Sequence, residues 1–228
     1  NNMGCGQSNR SATVQPKSLY SPFVIVGPSG VGKGTLIQKI FEKYDGLFSL
    51  SVSYTTRKAR PGEVNGKHYH FIEMEEFDQM IKDDGFIEWC NVHSNKYGTA
   101  FKELERIKGI KTDTTPGQIP ILEIDVQGAE KVSKKKELKS NFLFILPCAD
   151  ISKSEEVLRN RLQGRGTETE EQINTRVGNS MGEINKYKQS KFFQHSVVND
   201  DLKKAFEELS KLIETVYKEE VNAWRENK

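Results

Sequence analysis

Cysteine is scarce and scattered in this chain. Cys5, Cys90 and Cys148 are the three in 228 residues, and no CxxC pair occurs, so neither a disulfide framework nor a cysteine metal site is expected. Also missing is any run approaching the ~20 apolar residues of a membrane span, and the N-terminus lacks the apolar core of a signal peptide. No single sign of charge dominates: 34 Lys and Arg against 32 Asp and Glu leave a net charge of +2, which argues against a nucleic-acid partner. There is no internal repeat, and His68, His70, His93 and His195 show no metal-ligand spacing. A reducing, cytoplasmic setting and a monomer are the expectations.

What the chain does have is 35% hydrophobic and 29% charged residues, as in soluble globular domains, and enough length for one α/β domain with insertions. The informative stretch is Gly27-Pro28-Ser29-Gly30-Val31-Gly32-Lys33-Gly34-Thr35. It follows the apolar run Phe23–Val26 and precedes the helix-like Leu36–Phe41, so it reads as a phosphate-binding loop between a buried strand and a helix. The glycines let several backbone N–H groups converge, the helix adds the positive end of its dipole, and Lys33 brings a mobile cation to the outer phosphates. The strict pattern places Ser or Thr directly after the lysine, whereas here Gly34 stands there and Thr35 follows. One residue along a helix turns a side chain by about 100°, which leaves Mg²⁺ to waters and to the substrate phosphates.

Residues 1–19 carry no hydrophobic period and read as a flexible arm. Alternation over Phe48–Thr55, turn signals at Pro61-Gly62 and Asn65-Gly66, and renewed strand patterns at His68–Phe71 and Phe86–Val92 mark a strand-rich insertion over 48–98. Short helices are predicted over Glu75–Lys82 and Ala100–Lys108. The apolar runs Ile119–Asp125 and Asn141–Leu146 suit parallel strands. A helix over Ser152–Leu162, capped by Ser152 or Ser154, a glycine-bearing flap over Gly164–Glu171, and a helix from Thr169 to about Lys188 would form a lid region, 151–188. Ser196–Asp200 reads as a last strand. A final helix presents Leu202, Phe206, Leu209, Leu212, Ile213, Val216 and Tyr217 on one face. The core would then comprise 20–47, 99–150 and 189–228, a parallel α/β sheet flanked by helices in the manner of P-loop NTPases, with its ligand at the C-terminal edge.

From about Tyr20 onward the chain resembles the guanylate kinases. The likeness rests on the loop Gly27–Thr35, on Ser51–Arg57 with Arg60–Lys67, on Phe86–Trp89 with Tyr97-Gly98, and on Arg161 through Arg176. It implies a core, a GMP-binding insertion and a lid, transfer of the γ-phosphate of ATP to GMP or dGMP, and Mg²⁺ as the cofactor. By resemblance Arg57, Arg60, Tyr69 and Tyr97 hold the GMP phosphate, and Glu88, with Ser53, Gly98 and Thr99 beside it, reads guanine. Asp125 would meet the acceptor nucleotide and, with Glu123, the water shell of Mg²⁺; family members commonly have Asp where Glu123 stands. Lys33, Arg60, Arg161, Arg165 and Arg176 would be the catalytic cations, and Asn199 and Asp200 would lie near the ATP base.

Two other readings compete. Guanylate-kinase-like domains of scaffolding proteins bind peptides, but they usually degrade the phosphate loop or the lid arginines, and both are present here. A kinase for another nucleoside monophosphate would share Lys33-Gly34-Thr35, but Glu88 and the insertion motif argue against it. The arm contributes a separate signal: Met3-Gly4-Cys5-Gly6-Gln7-Ser8 fits an N-myristoylation pattern. If translation starts at Met3, Gly4 is an acylation candidate and Cys5 a palmitoylation candidate, which would give membrane attachment.

Overall fold

The computed structural model describes residues 20–228 apart from 93, 165 and 167. In chain order its elements are β1 (Phe23–Val26), α1 (Lys33–Lys43), β2 (Phe48–Leu50), β3 (Tyr54–Thr55), β4 (His70–Phe71), α2 (Met74–Lys82), β5 (Phe86–Val92), β6 (Asn95–Ala100) and α3 (Phe101–Lys108). Then come β7 (Ile119–Glu123), α4 (Val126–Lys134), β8 (Asn141–Leu146), α5 (Ser154–Gln163), α6 (Glu170–Gln189), β9 (His195–Val198), α7 (Leu202–Val216) and α8 (Lys218–Glu226).

The main sheet has five strands in the order β2-β7-β1-β8-β9, and every pairing in it is parallel. Strand β1 is buried throughout and β8 over all but its first residue, which is why they read as unbroken apolar runs rather than alternating ones. All four residues of β1 are buried, and its Phe23 sits in register between Ile121 and Asn141. Helices α1, α4 and α7 supply Leu36, Ile37, Ile40, Val126, Ala129, Val132, Ala205, Leu209 and Ile213 to the same core.

A second, four-stranded sheet has the order β4-β3-β6-β5. Its own core is small, with Tyr54, Phe77, Phe86 and Ala100 buried together and the Phe77 and Phe86 rings stacked at 4.3 Å.

Several local expectations need correction. The alternation over Phe48–Thr55 is not one strand. Phe48–Leu50 pairs with Ile119–Ile121 in the main sheet, Ser51–Ser53 crosses over, and Tyr54-Thr55 starts the second sheet against Gly98 and Tyr97. Helix α5 carries no side-chain cap. The cap lies one turn earlier, where the Asp150 carboxylate accepts from Ser152 N at 3.1 Å and opens a 3₁₀ turn. Tyr217 ends α7 rather than continuing it, and α8 follows with Val221 and Trp224 buried. The Trp224 indole N–H donates to the Asp45 carbonyl at 2.8 Å. Thr169 caps α6 with a reciprocal bond from Gln172, matching the helix start expected there. No described helix is long and apolar enough to cross a membrane.

Candidate active site

The C-terminal edge of the main sheet gathers the ends of β1, β7, β8 and β9. Strand β1 lies where the order of succession reverses, the position at which open α/β sheets leave a crevice for ligand. The loop after β1 is shaped by left-handed backbone at Gly30, φ 83°, and at Gly32, φ 95°, which L side chains rarely adopt. A Cβ at Gly32 would also lie 2.6 Å from Asn199 Nδ2. No side chain caps α1, so its first-turn N–H groups point at the loop's concavity, an anion site by geometry. Lys33 folds over this loop with Nζ 2.6 Å from the Gly27 carbonyl and 3.5 Å from that of Pro28. Around Gly34 a Cβ would meet nothing within 4 Å. The hydroxyl missing from that position is therefore not excluded by packing. Thr35 is exposed and lines a cleft of about 490 Å³ with Gly30, Val31, Gly32, Arg161 and Asp200.

Asn199 does more than border that cleft. It is buried, its Nδ2 donates to the Val31 carbonyl at 2.7 Å, and its own carbonyl accepts from Arg161 Nη2 at 2.7 Å. Arg161 also reaches the carbonyls of Pro147 at 3.4 Å and Val31 at 3.5 Å. On α6, Arg176 donates through Nε at 3.1 Å and Nη2 at 2.5 Å to Ser29 Oγ and pairs with Glu168. Ser180, one turn on, donates to the Ser29 carbonyl at 3.4 Å. Arg165, Gly4 and Cys5 lie outside the described residues, as does part of the expected flap.

The second sheet and its loops carry a separate cationic and aromatic group. The Arg57 guanidinium makes two bonds of 2.9 Å to the Glu63 carboxylate and lies over the rings of Tyr69 at 5.4 Å and Phe71 at 5.6 Å. Tyr69 and Tyr97 meet edge to face at 5.9 Å. The Arg57 charge, helped by the Arg60 backbone N–H at 2.7 Å, holds the Glu63 carboxyl down to about 2. Arg60 leaves its side chain exposed.

Deeper between the sheets, Glu88 is only 7% exposed and accepts from Thr99 Oγ1 at 2.8 Å. Burial pushes its carboxyl above the usual range, with the charge of Asp125 adding to the effect and Thr99 and Lys131 opposing it. Asp125 caps α4, its Oδ1 accepting from Gly128 N at 2.7 Å. Gly98 and Gly128 keep this pocket narrow. A Cβ on Gly98 would lie 2.9 Å from the Glu88 carbonyl, and one on Gly128 would lie 3.2 Å from Glu88 Oε2. Ser53 sits in the crossing segment, where its carbonyl accepts from His70 N at 2.9 Å. Glu123 ends β7 exposed to solvent, and among the described residues no group of three or more His, Cys, Asp or Glu side chains could hold a metal.

A family model described as guanylate kinase matches residues 20–216. The chain belongs to the guanylate kinase family. It is 44% identical over 192 residues to "Guanylate kinase 1" of Oryza sativa subsp. japonica, covering 84% of this chain and 47% of that protein. It is 40% identical over 191 residues to a guanylate kinase of Geobacter sulfurreducens, covering 84% of this chain and 86% of the relative. The crystal structure of guanylate kinase from Anaplasma phagocytophilum superposes with a TM-score of 0.60 at 29% identity, covering 88% of each chain. The chain spans about half the length of the plant relatives it matches.

One residue of the site escaped the sequence reading. Glu183 lies on α6 seven residues after Arg176 and three after Ser180, the spacing of one helix face. Burial pushes its carboxyl up to about 7, against the opposing charge of Lys33 and with that of Asp125 adding. Glu183 is therefore electrostatically coupled to both the phosphate loop and the carboxylate beside Glu88. The repeat Arg176, Ser180, Glu183 on one face was the signal available in the sequence.

Proposed function

We propose that this chain transfers the γ-phosphate of ATP to GMP, and to dGMP, giving ADP and the nucleoside diphosphate. The single observation that carries the reading is the combination of a phosphate loop bearing Lys33 with a buried Glu88 bonded to Thr99, the two linked by charge through Glu183 and Asp125. An ionised carboxylate only accepts hydrogen bonds, and guanine offers two donors on its Watson–Crick edge where adenine presents an acceptor. A GMP base paired to Glu88 would replace the water that the raised carboxyl otherwise lacks and would restore its charge.

Phosphoryl transfer asks the protein for position and for charge aimed at the moving group. Gly27–Thr35 would wrap the ATP phosphates, with Asn199 fixing the loop and Asp200 bordering the nucleoside side of the cleft. Arg57, Tyr69 and Tyr97, with the exposed side chain of Arg60, would seat the GMP phosphate, and guanidinium forks suit that anion better than ammonium groups. Lys33, Arg60, Arg161, Arg165 and Arg176 would neutralise the transferring group once the lid closes and excludes water.

The residues present fit Mg²⁺ held mainly through waters and substrate oxygens, because Glu123 and Asp125 offer two carboxylates at one strand end and Asp125 is already partly committed to capping α4. When bound, the ion would neutralise charge on the phosphates. Neither the peptide-binding reading nor another acceptor nucleotide has an observation in its favour here. A cytoplasmic monomer, with acylation at Gly4 and Cys5 adding membrane attachment, completes the proposal. A single myristoyl chain gives only marginal membrane binding, about 10⁴ M⁻¹, whereas two acyl chains anchor stably.

The test is a coupled assay of ADP release with GMP, dGMP, AMP, CMP and UMP in parallel, with and without Mg²⁺. Turnover confined to GMP and dGMP and dependent on the metal is expected. Equal turnover with AMP, or none with any acceptor, would overturn the reading. Intact mass after co-expression with an N-myristoyltransferase from Met3 tests the acylation, and an unmodified chain would remove it.

A further inference from the structure

At the opposite edge of the main sheet, where β8 begins, lies a cavity of about 330 Å³ that the catalytic reading does not use. Strand β8 is six residues long, so at about 3.3 Å per residue this cavity lies about 20 Å from the phosphate loop. Lys135, Lys136, Lys139 and Lys191 line it, and among the described residues no acidic one does. Among the described residues Lys136, Lys139 and Lys191 have no carboxylate partner, while Lys135 lies over the Phe101 ring at 5.0 Å. The neighbouring lysine Lys134, by contrast, is paired with Glu130 at 3.0 Å.

The second observation is independent of that charge. Ser140 lines the same cavity, is 9% exposed, and its Oγ is buried without a hydrogen-bond partner. A buried hydroxyl left unpaired costs free energy, so such groups are uncommon in folded proteins. The uncharged polar groups nearest it in the cavity wall are already engaged elsewhere. The Ser140 carbonyl already accepts from Gln194 Nε2 at 3.5 Å, and Gln194 Oε1 accepts from Phe142 N at 2.7 Å. The floor is rigid too, with the Phe142 and Phe192 rings in edge contact at 5.3 Å. The result is an enclosed hydroxyl donor beneath a rim of uncompensated ammonium groups.

We propose that this cavity is a second anion site, which takes a phosphate-bearing ligand through Lys136, Lys139 and Lys191 with the Ser140 hydroxyl as its buried donor. Ammonium groups act on phosphate as point charges and do not demand one planar geometry, which suits a rim drawn from two separate connections, α4 to β8 and α6 to β9. The volume falls at the lower end of small-molecule pockets and admits more than one phosphate group. The same chemistry could reach the cavity as a soluble phosphate compound or as a lipid headgroup.

Amide resonances of Lys139, Ser140 and Phe192 report on this cavity alone when saturating GMP and ADP occupy the catalytic cleft. Inorganic phosphate and then inositol 1,4,5-trisphosphate would be titrated against the full chain. In parallel, flotation would use phosphatidylcholine vesicles with and without phosphatidylinositol 4,5-bisphosphate. Saturable, salt-weakened shifts are expected. Lys136→Gln with Lys191→Gln should weaken binding about tenfold or more, and Ser140→Ala about threefold or more. Lys134→Gln should change nothing, and GMP turnover in all variants should equal that of the parent, which verifies their folding. Binding of the soluble probes without vesicle capture supports a soluble phosphate ligand, and capture that requires the phosphorylated lipid supports a headgroup. Absent shifts with no vesicle capture, or binding that the cavity variants leave unchanged, would overturn the proposal.

Discussion

The two halves of the cleft are built in different ways. On the side proposed for ATP most parts are held by backbone, Arg176 on Ser29 Oγ excepted. Lys33 and Arg161 bond to main-chain carbonyls, Asn199 ties the loop to the end of β9, and the whole rests on the large core under β1 and β8. On the side proposed for GMP the parts are mainly side chains holding one another. Arg57 is fixed by Glu63, Glu88 by Thr99, and the sheet that carries them has four buried residues in its core cluster. Backbone acceptors on a buried sheet cannot move without opening the fold, whereas side-chain pairs on a small sheet separate at little cost. On the proposed assignment, the difference teaches that the phosphate loop is ready before ligand arrives and that the insertion half is set by the ligand itself.

The comparison can be broken most severely at Lys33. Lys33→Ala should lower turnover by about 10² to 10³, the usual cost of removing one positioned cation from a transition state, with the thermal midpoint little changed. Steady-state kinetics beside a melting curve checks both halves of that statement.

Glu88→Gln comes next. An amide replaces one acceptor with a donor, so the preference for GMP over AMP, measured as a ratio of specificity constants, should fall about tenfold or more while the KM for ATP stays put. An unchanged ratio would remove Glu88 from base recognition.

Glu103 tests the joint between the halves. It is buried on α3, accepts from Val52 N at 3.0 Å in the crossing segment, and pairs with Arg106 at 2.7 Å. Although burial works against it, the bonds from Arg106 and Val52 win and hold its carboxyl below the usual range. A carboxyl lowered in the folded state stabilises fully above its unfolded pKa and loses that contribution as pH falls through the folded value. Glu103→Gln should therefore cost about 1 to 2 kcal/mol near neutral pH, and the deficit should shrink below the ordinary carboxylate range. Denaturant melts of both proteins at neutral and acid pH read this directly, and a deficit independent of pH would contradict it.

The smallest effect is expected at Glu63. Glu63→Gln releases the Arg57 fork from its fixed plane and should raise the KM for GMP about threefold, with kcat and the KM for ATP unchanged. Initial rates at varied GMP decide it, and a KM for ATP that moved equally would count against separate halves.

Legibility in the sequence follows the same division. The phosphate loop could be read because its chemistry is local: strand, glycines, lysine and helix occupy fewer than twenty consecutive positions. The apolar runs of β1 and β8 were clear because burial on both faces erases alternation. Phe48–Leu50 was assigned to the insertion because its alternation is that of an edge strand, and an edge strand reads alike in either sheet. Of helix α4 only the C-terminal end is legible, in the lysine run Lys134-Lys135-Lys136, since Gly128 within its first turn weakens the pattern and its cap, Asp125, reads equally as a site carboxylate. Glu103 and Glu183 were missed because their distant partners, Val52 for one and Lys33 and Asp125 for the other, meet them only after folding. Ser140 was invisible for the same reason: nothing local marks a serine whose hydroxyl will be buried without a partner.

Native-state hydrogen exchange with and without GMP tests the division of the cleft most directly. Amides of β1 and β8 should exchange slowly in both conditions. Those of β3, β5 and β6 should exchange faster in the free protein and slow markedly when GMP alone is bound. Equal protection of the two sheets without nucleotide, or an insertion sheet indifferent to GMP, would contradict the account.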